Sequence, residues 1–137
     1  MLVRLNSQYL HLLKEYNGVI LDTSFIIQCI DEKGDILNQL EQTTSLPIFI
    51  PESVINELKR LTKAIGKKGN KALLALKLAK RYKVIRSTTS NVDEDIINLS
   101  RNSKFIVATT DSKIRRKLKF HNILTIYLSK DGELFLD

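Results

Sequence analysis

The chain has 137 residues, 43% of them apolar and 27% charged, which suits one soluble globular domain with a single core. Its net charge of +7 favours a phosphate-bearing partner, because each phosphate neutralised by Lys or Arg releases condensed counterions. A lone cysteine, Cys29, excludes a disulfide framework or a zinc ribbon within one chain; no run of about 18 apolar residues is present to span a bilayer, and Asn6, Ser7, Gln8 and His11 interrupt any secretion signal, so a reducing cytoplasm is the expected location.

Residues 1–16 read as a short helix with Tyr9, Leu13 and Tyr16 on one face. Val19-Ile20-Leu21 has the pattern of a strand buried on both faces, and it ends in Asp22. Phe25 to Ile30 begins a helix, with Cys29 a small core residue in it. Leu37 and Leu40 continue its spacing until Thr43-Thr44-Ser45 breaks it. Ile48-Phe49-Ile50 is a second strand, closed by Pro51, which suits the first turn of a helix. Val54, Ile55, Leu58 and Leu61 follow at helical spacing. Gly66-Lys67-Lys68-Gly69 predicts a turn or loop, residues 70–82 a helix rich in Leu and Ala, and Val84-Ile85 a short third strand.

Asn91, with Glu94 three residues later, resembles a capping box and opens a helix that buries Ile96, Ile97 and Leu99. Phe105-Ile106-Val107-Ala108 is a fourth strand, running through Thr109 and Thr110 into Asp111. A basic helix follows with Ile114 and Leu118 inward. Leu124 to Leu128 is a fifth strand, Asp131-Gly132 a turn signal, and Leu134-Phe135-Leu136 a sixth, antiparallel edge strand. No repeat, low-complexity tract or linker interrupts the series, so residues 1–137 read as one domain. Strands alternating with helices predict an α/β fold, a three-layer α/β/α arrangement around a mainly parallel sheet of about five strands.

In a doubly wound sheet of order 3-2-1-4-5 the first and fourth strands are neighbours, and ligands bind at their carboxyl ends. Asp22 and Asp111 end those strands. Glu57 and Asp93, at helix starts after the second and third strands, can reach the same mouth. Each acid also has a plain structural reading: Asp22 and Asp111 as helix caps, and Glu57, Asp93 and Asp95 as acids favoured early in a helix by its dipole. Their joint placement is what points to a site.

The order of elements and four motifs resemble the PIN-domain family of metal-dependent ribonucleases. The motifs are Val19-Ile20-Leu21-Asp22-Thr23-Ser24, Ile50-Pro51-Glu52-Ser53-Val54-Ile55-Asn56-Glu57-Leu58, Asn91-Val92-Asp93-Glu94 and Ile106-Val107-Ala108-Thr109-Thr110-Asp111. The resemblance implies catalytic and metal-ligating roles for Asp22, Glu57, Asp93 and Asp111, with family spacing favouring Asp93 over Asp95. It matches Ser24 and Thr109 to the small hydroxyl residues beside the acids. Thr110 stands where the family often has Asn. Two branches fit, the VapC-like toxins of toxin–antitoxin pairs and the compact endonucleases of pre-ribosomal RNA processing; the tail from Lys113 to Leu128 looks closer to the second.

Crowded carboxylates resist ionising together, and a divalent cation removes the conflict. Oxygen-only ligands suit Mg²⁺ or Mn²⁺ rather than zinc. The expected function is hydrolysis of RNA phosphodiester bonds, as a toxin or in RNA processing. The competing reading is a PIN-fold module that binds RNA or protein without cutting. Lys59 and Arg60, just past Glu57, and Lys113, Arg115, Arg116 and Lys119, just past Asp111, are the expected RNA contacts. Partners are RNA and an antitoxin or ribosome-assembly protein; a homodimer is left open, and no membrane is expected. Gly66 to Lys71 lacks the spacing and Ser/Thr of a phosphate-binding loop. Ser24 stands where a haloacid-dehalogenase-like phosphatase would need a second Asp. His11 and His121 show no ligand partners, and no Gly-rich dinucleotide fingerprint follows the first strand.

Overall fold

The computed structural model, which describes residues 2–32 and 34–137, opens with a strand β1 (Val3–Arg4), a 3₁₀ turn (Ser7–Tyr9) and one turn of helix α1 (Leu10–Leu13). The single N-terminal helix expected from Tyr9, Leu13 and Tyr16 is therefore corrected to a strand and two short turns. Leu13 is buried and both tyrosines pack on the core. The strand forms because Val3 and Arg4 pair with Leu136 and Phe135, a long-range choice that local periodicity does not carry.

Strand β2 (Gly18–Leu21) is wholly buried. Helices α2 (Thr23–Asp31) and α3 (Ile36–Thr44) follow where one helix was expected. Glu32 is extended, and Asp35 starts α3 by accepting the Asn38 N–H at 3.1 Å. Strand β3 (Ile48–Pro51) leads into α4 (Glu52–Leu61), so Pro51 caps the helix rather than entering its first turn. Helix α5 (Lys67–Ala79) begins inside the predicted loop and ends short of residue 82. Gly66 takes φ 84°, which suits glycine, and turns the chain into the helix. Gly69 lies within α5, at a position where a Cβ would collide with the Ala64 carbonyl, so only glycine fits there.

The remaining elements are β4 (Lys83–Ile85), α6 (Val92–Ser103), β5 (Phe105–Thr109), α7 (Ser112–Phe120), β6 (Thr125–Leu128) and β7 (Leu134–Leu136). The sheet order is β1-β7-β6-β5-β2-β3-β4. From β6 to β4 all pairs are parallel, in the predicted order. Beyond the five parallel strands, β7 is the expected antiparallel sixth, but it is not the edge because β1 pairs outside it. The route along the sheet reverses after β4. Right-handed crossovers then put α2, α4 and α5 on one face, where they pack together, and α6 and α7 on the other. The core runs through Val19 to Leu21, Ile50, Ile106 to Ala108 and Ile126. No helix among the described residues is long and apolar enough to cross a membrane.

Candidate active site

Leu21 and Ala108 are register partners on the neighbouring strands β2 and β5, so the residues that follow them emerge side by side. Asp22 leaves β2 in an extended conformation and caps α2. Its Oδ1 accepts the Thr23 N–H at 2.8 Å. Its Oδ2 accepts the hydroxyls of Thr109 at 2.8 Å and Ser24 at 2.9 Å. Those hydroxyls in turn accept backbone N–H groups of Asp111, at 3.0 Å to Thr109, and Thr110, at 3.2 Å to Ser24. The loop that delivers Asp111 is thereby tied to Asp22.

Asp111 caps α7 through the Lys113 N–H at 2.8 Å. The cap readings of both aspartates thus hold together with their shared position. Glu57 projects from α4 and accepts from Arg60 Nη2 at 3.3 Å. Asp93, in the first turn of α6, lies 3.8 Å from Lys117 Nζ. Asn91 Oδ1 caps α6 through the Glu94 N–H at 3.0 Å, one half of the expected capping box.

Asp22, Glu57, Asp93 and Asp111 line one cavity of about 310 Å³, with Thr23 and Ser24. Their charges act on one another. Burial pushes the Asp22 carboxyl up to about 6, against the bonds from Thr109, Ser24 and Thr23, and the Asp93 charge adds to the rise. Burial also raises the Asp93 pKa; Lys117 opposes this, and the charges of Asp111 and Glu57 reinforce it. Among the described residues, no three Asp, Glu, His or Cys side chains converge closely enough to hold one ion between them as they stand.

Asp95 does not line the cavity. It is fully buried. Its Oδ2 accepts the Ser53 hydroxyl at 2.6 Å, and its Oδ1 accepts the Thr88 N–H at 2.6 Å and hydroxyl at 2.9 Å. Burial works to raise its pKa, but these bonds and one from Ser87 outweigh it and hold the acid below its ordinary value. Of the two candidate third acids, Asp93 reaches the cavity and Asp95 braces α6 against α4.

The basic residues divide. Arg115 and Lys119 share a face, as their spacing predicts, but that face meets the C-terminal strands and not the acids. The Arg115 guanidinium lies 4.4 Å from the Tyr127 ring centroid and 4.0 Å from Asp137 Oδ2. Lys119 Nζ lies 3.6 Å from Asp137 Oδ1. With Arg116 and Leu2 they line a separate depression of about 280 Å³. Buried Ile114 and Leu118 set this rotation of α7. The same rotation brings Lys117, which belongs to the basic run that the sequence places just past Asp111, to Asp93. Lys59 and Lys113 are exposed and do not line the acid cavity. Beside it a second cavity of about 440 Å³ is lined by polar residues including Ser53, Asn56, Arg60, Ser90 and Asn91, and it shares Glu57 and Val92 with the first.

A family model described as a PIN-like domain matches residues 19–131. The chain belongs to the PIN-like domain family. This PIN-like domain is 34% identical over 125 residues to Ribonuclease VapC4 of Methanocaldococcus jannaschii, covering 85% of this chain and 95% of that protein. It is 29% identical over 119 residues to Ribonuclease VapC9 of Archaeoglobus fulgidus, covering 86% and 87%. Among solved structures it is similar to the PIN domain endonuclease Utp24, with a TM-score of 0.71 at 24% identity over 85% of this chain and 88% of that one. It is also similar to a domain of a functionally unknown protein from Methanocaldococcus jannaschii, with a TM-score of 0.61 at 20% identity over 82% and 91%. At these identities the structural likeness speaks to the fold alone.

Proposed function

We propose that this PIN-like domain is a divalent-metal-dependent endoribonuclease of the VapC-like kind, with Asp22, Glu57, Asp93 and Asp111 as its acidic site. The observation that carries this reading is the convergence of the four acids on one cavity at the carboxyl edge of the sheet. The two relatives with ribonuclease names are matched over nearly their whole length, which supports the VapC-like branch over an RNA-processing one. A toxin of that kind would be held in check by an antitoxin.

The donor set suits Mg²⁺ or Mn²⁺. All four side chains offer hard oxygen donors, and Mg²⁺ keeps most of its waters while taking one or two carboxylates directly. Burial and mutual repulsion hold Asp22 and Asp93 above the ordinary carboxylate range, a cost that a cation relieves. Thr23, on the same cavity, has a buried Oγ1 with no partner among the described residues, one more oxygen available there. A bound cation supplies Lewis-acid stabilisation of charge at the scissile phosphate and activation of the attacking water.

The chain's own residues prepare that chemistry. Thr109 and Ser24 donate to Asp22 and so favour its ionised form against burial. Lys117 balances Asp93 and Arg60 balances Glu57, and both cations are exposed enough to turn toward a phosphate. Lys59, Lys113 and Arg116 add exposed positive charge for the flanking backbone.

The test is cleavage of single-stranded RNA by purified protein. Activity is expected with Mn²⁺ or Mg²⁺, and it should vanish with EDTA and in Asp22→Asn. Cleavage that persists in Asp22→Asn, with contaminating nuclease removed, refutes the reading. The acids share a cavity without closing on a single ion position among the described residues, and cations sit on two of them; this favours a second reading, a module that binds RNA without cutting. That reading predicts RNA binding but no cleavage at any metal concentration.

A further inference from the structure

We infer that the cavity between α4 and the start of α6 is a nucleotide subsite, in which Asn56 holds the edge of the base next to the scissile phosphate while Arg60 meets the backbone. This rests on the ribonuclease reading.

The first observation is continuity. The 440 Å³ cavity shares Glu57 and Val92 with the acid cavity, so a chain crossing the acids enters it directly. Its size is within the roughly 300–1,000 Å³ range of small-ligand sites.

The second is the pattern on α4. Ser53, Asn56, Glu57 and Arg60 recur at the spacing of one helix face. Such a stripe is apolar when it faces a core; here it is polar and lines the cavity, with Ser53 buried at its inner end, while Val54, Ile55 and Leu58 are the buried apolar residues of the helix. The opposite wall is the Ser90-Asn91-Val92 entry to α6.

The third is the state of the donors. Asn56 is exposed, and among the described residues its amide makes no hydrogen bond. An unpaired amide offers a donor and an acceptor side by side, the pairing that a base edge complements. Asn91, exposed on the same cavity, has its oxygen committed to the Glu94 N–H, and its amide hydrogens have no partner among the described residues. No aromatic residue is among those lining the cavity, so hydrogen bonds rather than stacking would hold a base there.

The fourth is rigidity. Buried Asp95 links the walls by accepting from Ser53 on α4 and from Thr88 in the segment before α6, and the Ser53 N–H donates to Ser87 at 2.7 Å. Asp95 is thus a positioning residue for the subsite.

The test uses Asp22→Asn protein in Mg²⁺, with fluorescence anisotropy of short fluorescein-labelled homopolymers of uridine, adenosine or cytidine and of an abasic strand. One base is expected to bind about tenfold or more tighter than the others. Asn56→Ala should erase that ranking and leave abasic binding unchanged. Arg60→Ala should weaken every strand alike and lower the salt slope by about 0.7. An Asn56→Ala protein that melts normally yet keeps the ranking overturns the subsite, as does Asp22→Asn protein that ranks no base. If Asp22→Asn binds no strand and the wild type cleaves none, the ribonuclease reading itself falls.

Discussion

Replacing Asp22 by Asn keeps the shape of the side chain and removes a buried charge. Burial raises this carboxyl from its ordinary 3.8 to about 6. That difference is worth about 3 kcal/mol at roughly 1.4 kcal/mol per pK unit. Between those values the native state binds a proton that the unfolded state has released. The metal-free protein therefore loses stability as pH rises from about 4 to about 6, and stays lower by that amount above it.

The amide carries no charge at any pH, but it brings a second hydrogen to the hydroxyls of Thr109 and Ser24. Each already accepts a backbone N–H. Rearranging them forfeits about 1 kcal/mol. In EDTA at pH 7.5, Asp22→Asn should be more stable than wild type by about 2 kcal/mol, roughly 6–8 °C in Tm for a domain of this size. The advantage should disappear between about pH 4 and 5 and reverse below that, where the protonated wild type carries no charge penalty and the variant keeps its lost hydrogen bonding. Adding Mn²⁺ should favour the wild type, by about 2.7 kcal/mol at a hundredfold excess over Kd. Thermal and urea melts from pH 4 to 8, with EDTA or Mn²⁺, measure all three effects. A variant less stable than wild type in EDTA at pH 7.5, or a difference that ignores pH, would refute the reasoning.

Asp95→Asn should destabilise the fold by about 2–4 kcal/mol, because it breaks a buried hydrogen-bonded acid, while the Mn²⁺-induced rise in Tm is kept; an unchanged urea midpoint would show that the brace is idle. Since its pKa is depressed by its partners, the stability Asp95 contributes is present above the ordinary carboxylate range and is lost as pH falls through its folded value. Lys117→Ala removes the cation opposing the rise of Asp93, so the pH profile of cleavage should move upward and the salt slope of RNA binding should fall by about 0.7; equal profiles would place Lys117 outside the site. Arg115→Ala should cost about 1 kcal/mol of stability through its lost contact with Tyr127 and should change RNA affinity less than Lys117→Ala, as a filter-binding comparison of the two would reveal.

The parallel strands and their order were readable because each is a short apolar run bounded by helical spacing, and those patterns are local. Asp22, Asp111 and Asp93 were readable for the same reason: strand ends and a helix start are sequence positions, and the fold gathers them at one edge; Glu57 lies a turn further along, in the middle of α4, and reaches the cavity from there. Periodicity also placed Arg115 and Lys119 on one face of α7. It could not say what that face meets. Tyr127 and Asp137 take it up because β6 lies beside α7 and the residue after β7 pairs back onto Thr125, and that follows from strand pairing. The choice between Asp93 and Asp95 had the same character. Both are acids in one helical turn, two residues apart, and a two-residue step turns a side chain to the opposite side of a helix. Which side opens to the cavity was decided by Ser53, 42 residues away in sequence and 2.6 Å away in space. Local sequence sets directions within an element, but burial and hydrogen-bond partners come from other elements. Their identity is settled only when the strands take their register and the helices pack down on the sheet.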